Sequence, residues 1–430
     1  MIKSEFDIFA KKPVQSAILG TRVIQYKPIA PVDQDVLEFI IPSDNEHYID
    51  LNISLMIKGK LTKIDGTEFD NTDFTGVINN LLHSLFSQCS ITLNGTSVTP
   101  SKDLYHYRSY LETLLTYGND AARTHLTNCF WYVDTGNVLG VADPNAAGDQ
   151  NTNKGFNNRY NLIKQSKTLE LCGKLHADLF NVSTLLIPGV QIQIKLDKSK
   201  PDFYLLSDKA DAKAVFKFSD ATLFVRHVKP NPGIFIAHSR ALEKANARYD
   251  ITKVVLKTFT FSSGSKSLSI DNAVLGTIPK RLLFAMVNNS DFTGSVNSNP
   301  FNFHHFKINH FVMYVNGQQI PSGGLSLNTR HEKETTLAYQ TLFTGSGIHH
   351  GNTGNQITHD MFVRGYFMLL FDLSPDSAAS EGHTSLSENG SIRIEIKFEE
   401  ALKDAITCLL YLEYDANVQI DNLRNVITDF

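Results

Sequence analysis

The chain has 430 residues, a formal net charge of −4, 42% hydrophobic and 20% charged residues. That balance excludes a disordered chain and a protein whose overall charge would drive nucleic-acid binding. The length exceeds what one ordinary core organises, so two units of roughly 200 residues are expected.

Twenty-eight Phe and fifteen Tyr, against six Met and one Trp, favour strands, where aromatic rings pack on a pleated surface. Residues 1–13 read as a short charged arm ending in Lys11-Lys12-Pro13. Strand candidates follow at Thr21–Tyr26, Val36–Ile41 and Ile49–Leu61, the last with Leu51, Ile53, Leu55 and Ile57 on one face. In Asn79–Pro100, a strand with Cys89, Ile91 and Leu93 on one face runs into Asn94-Gly95, the turn chemistry of a type I′ hairpin. Ser101–Gly118 predicts a helix with Ser101 as N-cap, Leu104, Tyr107, Leu111, Leu114 and Leu115 as its apolar face, and Gly118 as its stop. Thr135–Tyr160 is rich in Gly, Asn and Asp with almost nothing to bury, and reads as a long exposed loop. Strands resume at Leu169–Leu179, Val190–Leu196 and Ala221–Val228, and Pro230-Asn231-Pro232 marks a boundary.

The second half opens on a basic segment, His238–Lys257, with strands near Val254–Phe261 and Leu282–Val287. Asn299–Pro321 then repeats the earlier pattern: a strand running into Asn316-Gly317. Leu337–Thr344, a Gly/His/Asn loop over Gly345–His359, and strands at Met361–Leu373, Ile392–Phe398 and Thr407–Tyr414 complete the order, with Asp421–Phe430 as a tail.

Four elements recur in the same order. Asn94 matches Asn316 at an offset of 222, and Thr113–Thr116 matches Thr341–Thr344 at 228. Asp178-Leu179 matches Asp372-Leu373 at 194, and Val190–Lys195 matches Ile392–Lys397 at 202. The large drop falls across the polar loop of the first half, so the chain reads as a duplication. The expected fold is all-β: two tandem eight-stranded jelly-roll β-sandwiches with short inserted helices and long loops. The expected units are an arm 1–13, a first jelly roll 14–229, a second 230–420 and a tail 421–430.

No phosphate-binding loop, dinucleotide fingerprint, zinc-protease helix or nucleophile elbow occurs. The histidines of the second half (His304-His305, His310, His349-His350 and His359) lack the spacing and nearby carboxylates of a metal site. Cys89, Cys129, Cys172 and Cys408 show no paired spacing and read as reduced core residues. No catalytic, cofactor-binding or metal-binding residue is therefore assigned, and no cofactor is expected. The first twelve residues lack the apolar core of a secretory signal, and no apolar run reaches the ~18 residues of a membrane span. These features predict a protein assembled inside the cell.

The units NLLHSLFSQCSITLNGTSV and FHHFKINHFVMYVNGQQIP resemble the double jelly-roll major capsid proteins of large DNA viruses and virus-like transposons. The LHSLF…LNG…YLETLL…YG run over Leu82–Gly118 is most similar to the Polinton/Maverick (adintovirus-like) group. The resemblance implies a homotrimeric, pseudo-hexameric capsomer in an icosahedral shell around double-stranded DNA, contacting neighbouring capsomers and a penton or minor capsid protein. By the same likeness, Thr135–Tyr160 and Gly345–His359 become outward loops, the termini lie low in the shell, and direct nucleic-acid binding is weak. A tandem carbohydrate-binding sandwich and a jelly-roll enzyme are the rival classes; the first needs an exposed aromatic platform and the second a metal or carboxylate site.

Overall fold

The computed structural model describes residues 14–70, 74–99, 104–135, 153–207, 209, 212–330, 332–349 and 351–428. The arm 1–13, the helix cap expected at Ser101 and most of the loop expected over Thr135–Tyr160 lie outside these residues.

Eight strands build the two main sheets of the first half: β1 Ile18–Tyr26, β2 Val36–Ile41, β3 Ser54–Lys63, β4 Phe86–Leu93, β5 Thr96–Ser97, β6 Leu169–Lys174, β7 Ile192–Lys198 and β8 Ala214–Pro230; the short Tyr48–Ile49 also pairs with β8, and Thr75–Val77 pairs with Leu205–Ser207. Eight more build the second: β9 Ala247–Phe261, β10 Ser267–Thr277, β11 Arg281–Asn288, β12 Ile308–Val315, β13 Gln318–Ser326, β14 Met368–Asp372, β15 Asn389–Phe398 and β16 Ile406–Ile420. All pair antiparallel. The first half forms sheets β1-β8-β3-β6 and β2-β7-β4-β5; the second forms β9-β16-β11-β14 and β10-β15-β12-β13. Adding eight to every strand number converts one half into the other. This is the jelly-roll topology written twice, and the duplication legible in the sequence is the duplication of the fold.

Alternation makes each sandwich: in β3, Leu55, Ile57 and Leu61 are buried while Met56, Lys58 and Lys60 are not. In each half the second and third sheet positions pack inward against the facing sheet, and a single apolar cluster runs through both halves.

The two Asn-Gly turns occupy equivalent places, between β4 and β5 and between β12 and β13. Asn94 and Asn316 have φ of 47° and 51°, which the short polar Asn tolerates better than most side chains. Each Asn is also a clasp. The Asn94 N–H donates to Gln191 O at 3.1 Å, and its Oδ1 accepts the Gln191 N–H at 2.8 Å. Asn316 does the same with Ser391, at 3.0 Å for both bonds. The equivalent residues are therefore Gln191, just before β7, and Ser391 in β15, an offset of 200. The sequence match of Val190 with Ile392 is two residues out of register, a slip that leaves every side chain on its correct face and so is invisible to alternation.

Elsewhere the structure corrects the expected elements. The helix expected over Ser101–Gly118 is α1, Tyr105–Thr116, and it starts at Leu104 with no side-chain cap. The exposed loop expected through Tyr160 is instead helical from Lys154 to Ile163 (α2), with Phe156, Arg159 and Tyr160 buried and Asn153 Oδ1 accepting the Phe156 N–H. The strand expected to reach Leu179 stops at Lys174, and Asp178–Asn181 is a 3-10 turn. Pro230-Asn231-Pro232 opens a helix, α3 (Pro232–Leu242), with Asn231 as N-cap and Pro232 in the first turn. The run Met361–Leu373 divides into a helical turn, His359–Val363, and β14. Thr336–Ser346 forms α4, so α1 and α4 both follow the Asn-Gly hairpin of their half. The tail is not loose: Val426–Thr428 pairs with the end of β16.

Asn316→Ala removes the side-chain clasp and places a Cβ-bearing residue without a local polar partner at positive φ. Denaturant unfolding is expected to register a loss of about 2 kcal/mol. Asn316→Gly, which keeps the turn and loses only the side-chain bond, is expected to lose about 1 kcal/mol.

Candidate functional site

The most elaborate chemistry in the molecule lies between the halves. Leu282–Val287 of β11 and Ile406–Leu412 of β16 are buried on both faces. From β16, the Tyr411 hydroxyl reaches Glu112 of α1. This seam explains why α1 is buried nearly all round, including Arg108, His106, Ser109 and Thr113.

Arg108 is fully buried. Its Nη2 donates to Asp178 Oδ1 at 2.6 Å and its Nε to Glu112 Oε1 at 2.8 Å. Both carboxylates then reach across. Asp178 Oδ1 accepts the backbone N–H of Val254 on β9 at 3.1 Å, and Glu112 Oε1 accepts the Tyr411 hydroxyl of β16 at 3.3 Å. Glu112 Oε2 lies 2.7 Å from His176 Nδ1, and the His176 ring meets His83 edge-on at 4.7 Å. Burial alone would raise the Glu112 carboxyl, but the Arg108 charge and the His176 hydrogen bond outweigh it and bring its pKa down to about 2. For Asp178 burial wins, and its pKa is raised despite Arg108.

A second buried cation, Arg159 of α2, binds Asp134 Oδ1 at 2.7 Å and the carbonyls of Val77 and Tyr132 at 2.9 and 2.6 Å. Asp134 crosses the seam as well: its Oδ2 accepts Asn299 Nδ2 at 3.0 Å, and its carbonyl accepts the Tyr366 hydroxyl at 2.8 Å. Between the two ion clusters the rings interleave. Tyr110 stacks on Phe301 at 3.9 Å and 10°, and Tyr107 on Phe292 at 5.6 Å and 21°. Trp131 Nε1 donates to Gln356 Oε1 at 2.8 Å, and Gln356 Nε2 returns a bond to Tyr117 O at 2.9 Å. The chain end adds a strap: Arg424 Nε donates to Pro188 O at 2.7 Å, and Asn94 Nδ2 donates to Arg424 O at 2.9 Å.

A groove of about 1260 Å³ opens along the seam, lined by Glu112, Cys172, His176, Lys280, Arg281 and Glu413 among others. Its charges neutralise one another, with Arg281 Nη1 2.6 Å from Glu413 Oε2 and Lys280 Nζ 2.7 Å from Asp415 Oδ1. Cys89, Cys129 and Cys408 are buried, whereas Cys172 is exposed. Burial pushes the Cys129 thiol to about 12 and raises Cys172 as well, so neither is an activated thiolate.

The histidines singled out in the sequence are dispersed. His304 and His305 are half-buried, and desolvation lowers the pKa of both, His305 to about 4. His359 stacks on Tyr339 at 4.7 Å and bonds Thr335. His350 lies outside the described residues. Among the described residues no group of three or more His, Cys, Asp or Glu side chains converges to hold a metal ion. No helix among them is long and apolar enough to cross a membrane. What the seam does chemically is join two sandwiches into one block. The sequence carried one visible trace of it, the i,i+4 spacing of Arg108 and Glu112.

Comparison with known proteins places the fold. No family model matches the chain. It is 22% identical to the uncharacterized protein F54H12.2 of Caenorhabditis elegans over 404 residues, covering 91% of this chain and 93% of that one. A chain in the cryo-EM structure of the Sputnik virophage superposes with a TM-score of 0.63 at 11% identity, over all of this chain and 92% of its own. The VP54 protein of PBCV-1 gives 0.59 at 10%, over 98% and 99% of the two chains. The mavirus major capsid protein gives 0.54 at 9%, over 100% and 93%. The shared property is the double jelly roll along the whole chain.

Asp134→Ala leaves Arg159 buried without its carboxylate, and unfolding measurements are expected to show a loss of about 3–5 kcal/mol. The folded pKa of Glu112 lies below its unfolded value near 4.5, so its contribution is present above pH 4.5 and fades as pH falls toward 2. The stability difference between the parent chain and Glu112→Gln is therefore expected to shrink across that window.

Proposed function

We propose that this chain is a major capsid protein, the shell-forming subunit of a virus or virus-like element. One observation carries the reading: the jelly-roll topology occurs twice in one chain, and the whole chain superposes on capsid subunits of viruses with a comparable span. The seam supports it, because its buried ion pairs and stacked rings turn two sandwiches into one rigid tile rather than a hinged pair. In this reading the role of the chain is structural.

In this reading the duplicated units are residues 14–229 and 230–420. Three copies form a pseudo-hexameric capsomer, and capsomers tile an icosahedral shell around double-stranded DNA, with a penton or minor capsid protein at the vertices. The protein resides in the virion after assembly inside the host cell. The LHSLF…LNG wording of Leu82–Gly95 favours the Polinton/Maverick group.

Electron microscopy of the purified protein tests this directly. Three-lobed, hexagon-outlined capsomers or closed shells are the expected result. Dispersed single chains across assembly conditions would overturn it.

A further inference from the structure

The two halves share a topology but differ along one edge. In the first half, β1 ends its sheet, pairing only with β8, and β2 ends the facing sheet, pairing only with β7. Together they form a side wall of the sandwich. Exposed large apolar residues concentrate there: Val14 is 86% exposed, Leu19 58%, Val23 63%, Ile29 60% and Val36 36%. Those five fall within 23 consecutive residues, although only thirteen such residues occur among all the described ones. Ile236 of α3, 53% exposed, stands at the same end, since Asn231 bonds the carbonyls of Ala17 and Ser16.

An open sheet edge with an apolar surface is a pairing hazard that proteins usually blunt with charge or proline. The equivalent strand β9 is covered by the first half: its Val254 N–H bonds Asp178, and its Tyr249 hydroxyl donates to Leu185 O and accepts the Ile187 N–H. β1 carries neither Lys nor Pro, and its one charge, Arg22, lies 3.5 Å from Asp44. One copy of the duplicated edge is protected and the other is left open, the pattern expected when only the open one is covered in use.

We propose that the β1–β2 wall is the surface on which a second copy of this chain docks. Size argues for a whole protein rather than a peptide. A nine-residue strand is about 30 Å long, and two sheets about 10 Å apart are about 20 Å across with the side chains on their outer faces, so the wall offers on the order of 600 Å². That approaches the ~800 Å² each partner contributes to a standard interface, and Ile29 and Val36 lie beyond what one added strand covers. Because the corresponding edge strand of the second half already packs on the first half, a ring closes by setting this wall against a different surface of the next copy. The inference rests on the multi-copy capsomer proposed above and identifies its contact.

The experiment is a molar-mass measurement by light scattering on three full-length proteins: the parent, Leu19→Lys/Val23→Lys, and Ile64→Lys. Ile64 is 63% exposed but lies beyond the far end of β8, sixteen residues along the strand from the partner of Gly20, or roughly 50 Å away. The parent is expected at three times 48.0 kDa, the double variant at one chain that still unfolds in a cooperative transition, and Ile64→Lys at the parent mass. If the double variant keeps the parent's multi-copy mass, the docking proposal fails and the capsomer reading stands. A parent dimer abolished by the double substitution upholds the docking wall and overturns the trimer. A parent that is a single chain at every concentration overturns both. Loss of the trimer on deleting residues 1–13, with the double variant still trimeric, makes that segment the coupling element and likewise overturns the proposal.

Discussion

The architecture depends on a buried cation with two anions that each hold the other half of the protein. Arg108 satisfies Asp178 and Glu112, and those carboxylates accept the Val254 amide and the Tyr411 hydroxyl from the second sandwich. Such a cluster adds little net stability, because desolvating the charges offsets most of their attraction. Its effect is on geometry. Any other seating of the second sandwich would take the Val254 amide and the Tyr411 hydroxyl away from these acceptors, at about 1–3 kcal/mol for each group left buried without a partner. Asp134 imposes the same condition on Asn299 and Tyr366 at a separate point of the seam. Two such points, with the Tyr110–Phe301 stack and the Arg424 strap, define a single relative orientation. Under the proposed shell role that rigidity matters, since a small angular error would repeat at every contact between identical copies.

The duplication has been put to two uses. In the second half, β11 and β16 are covered on both faces and serve the seam. In the first half, the β1–β2 wall is left open and apolar. The conserved feature between them is the Asn clasp, where a positive-φ turn residue also anchors β7 or β15. Turn chemistry and strand register are set by the same side chain in both copies.

This division explains what could be read from the sequence. Asn94-Gly95 and Asn316-Gly317 announce themselves because the backbone conformation demands particular residues locally. Alternation in β3, β7 and β15 shows which face is buried but not the register, so the β7–β15 equivalence needed the Gln191 and Ser391 bonds. The start of α3 was written in Asn231-Pro232, an N-cap followed by a first-turn proline, and is legible once a boundary is also considered as a beginning. The burial of α2 was not legible. Lys154–Ile163 is polar in composition, and Arg159 becomes a core residue only because Asp134, Val77 and Tyr132 converge on it from distant positions. The seam as a whole is hidden for the same reason: an isolated sequence does not distinguish a buried arginine from a solvated one.

The central claim is that the two jelly rolls form one mechanical unit through the seam. Differential scanning calorimetry of the full chain is its most direct test, because independent domains unfold separately while coupled ones share a transition. A single endotherm, with calorimetric and van't Hoff enthalpies in agreement, is the predicted result. Two resolved endotherms, each assignable to one sandwich, would contradict the account.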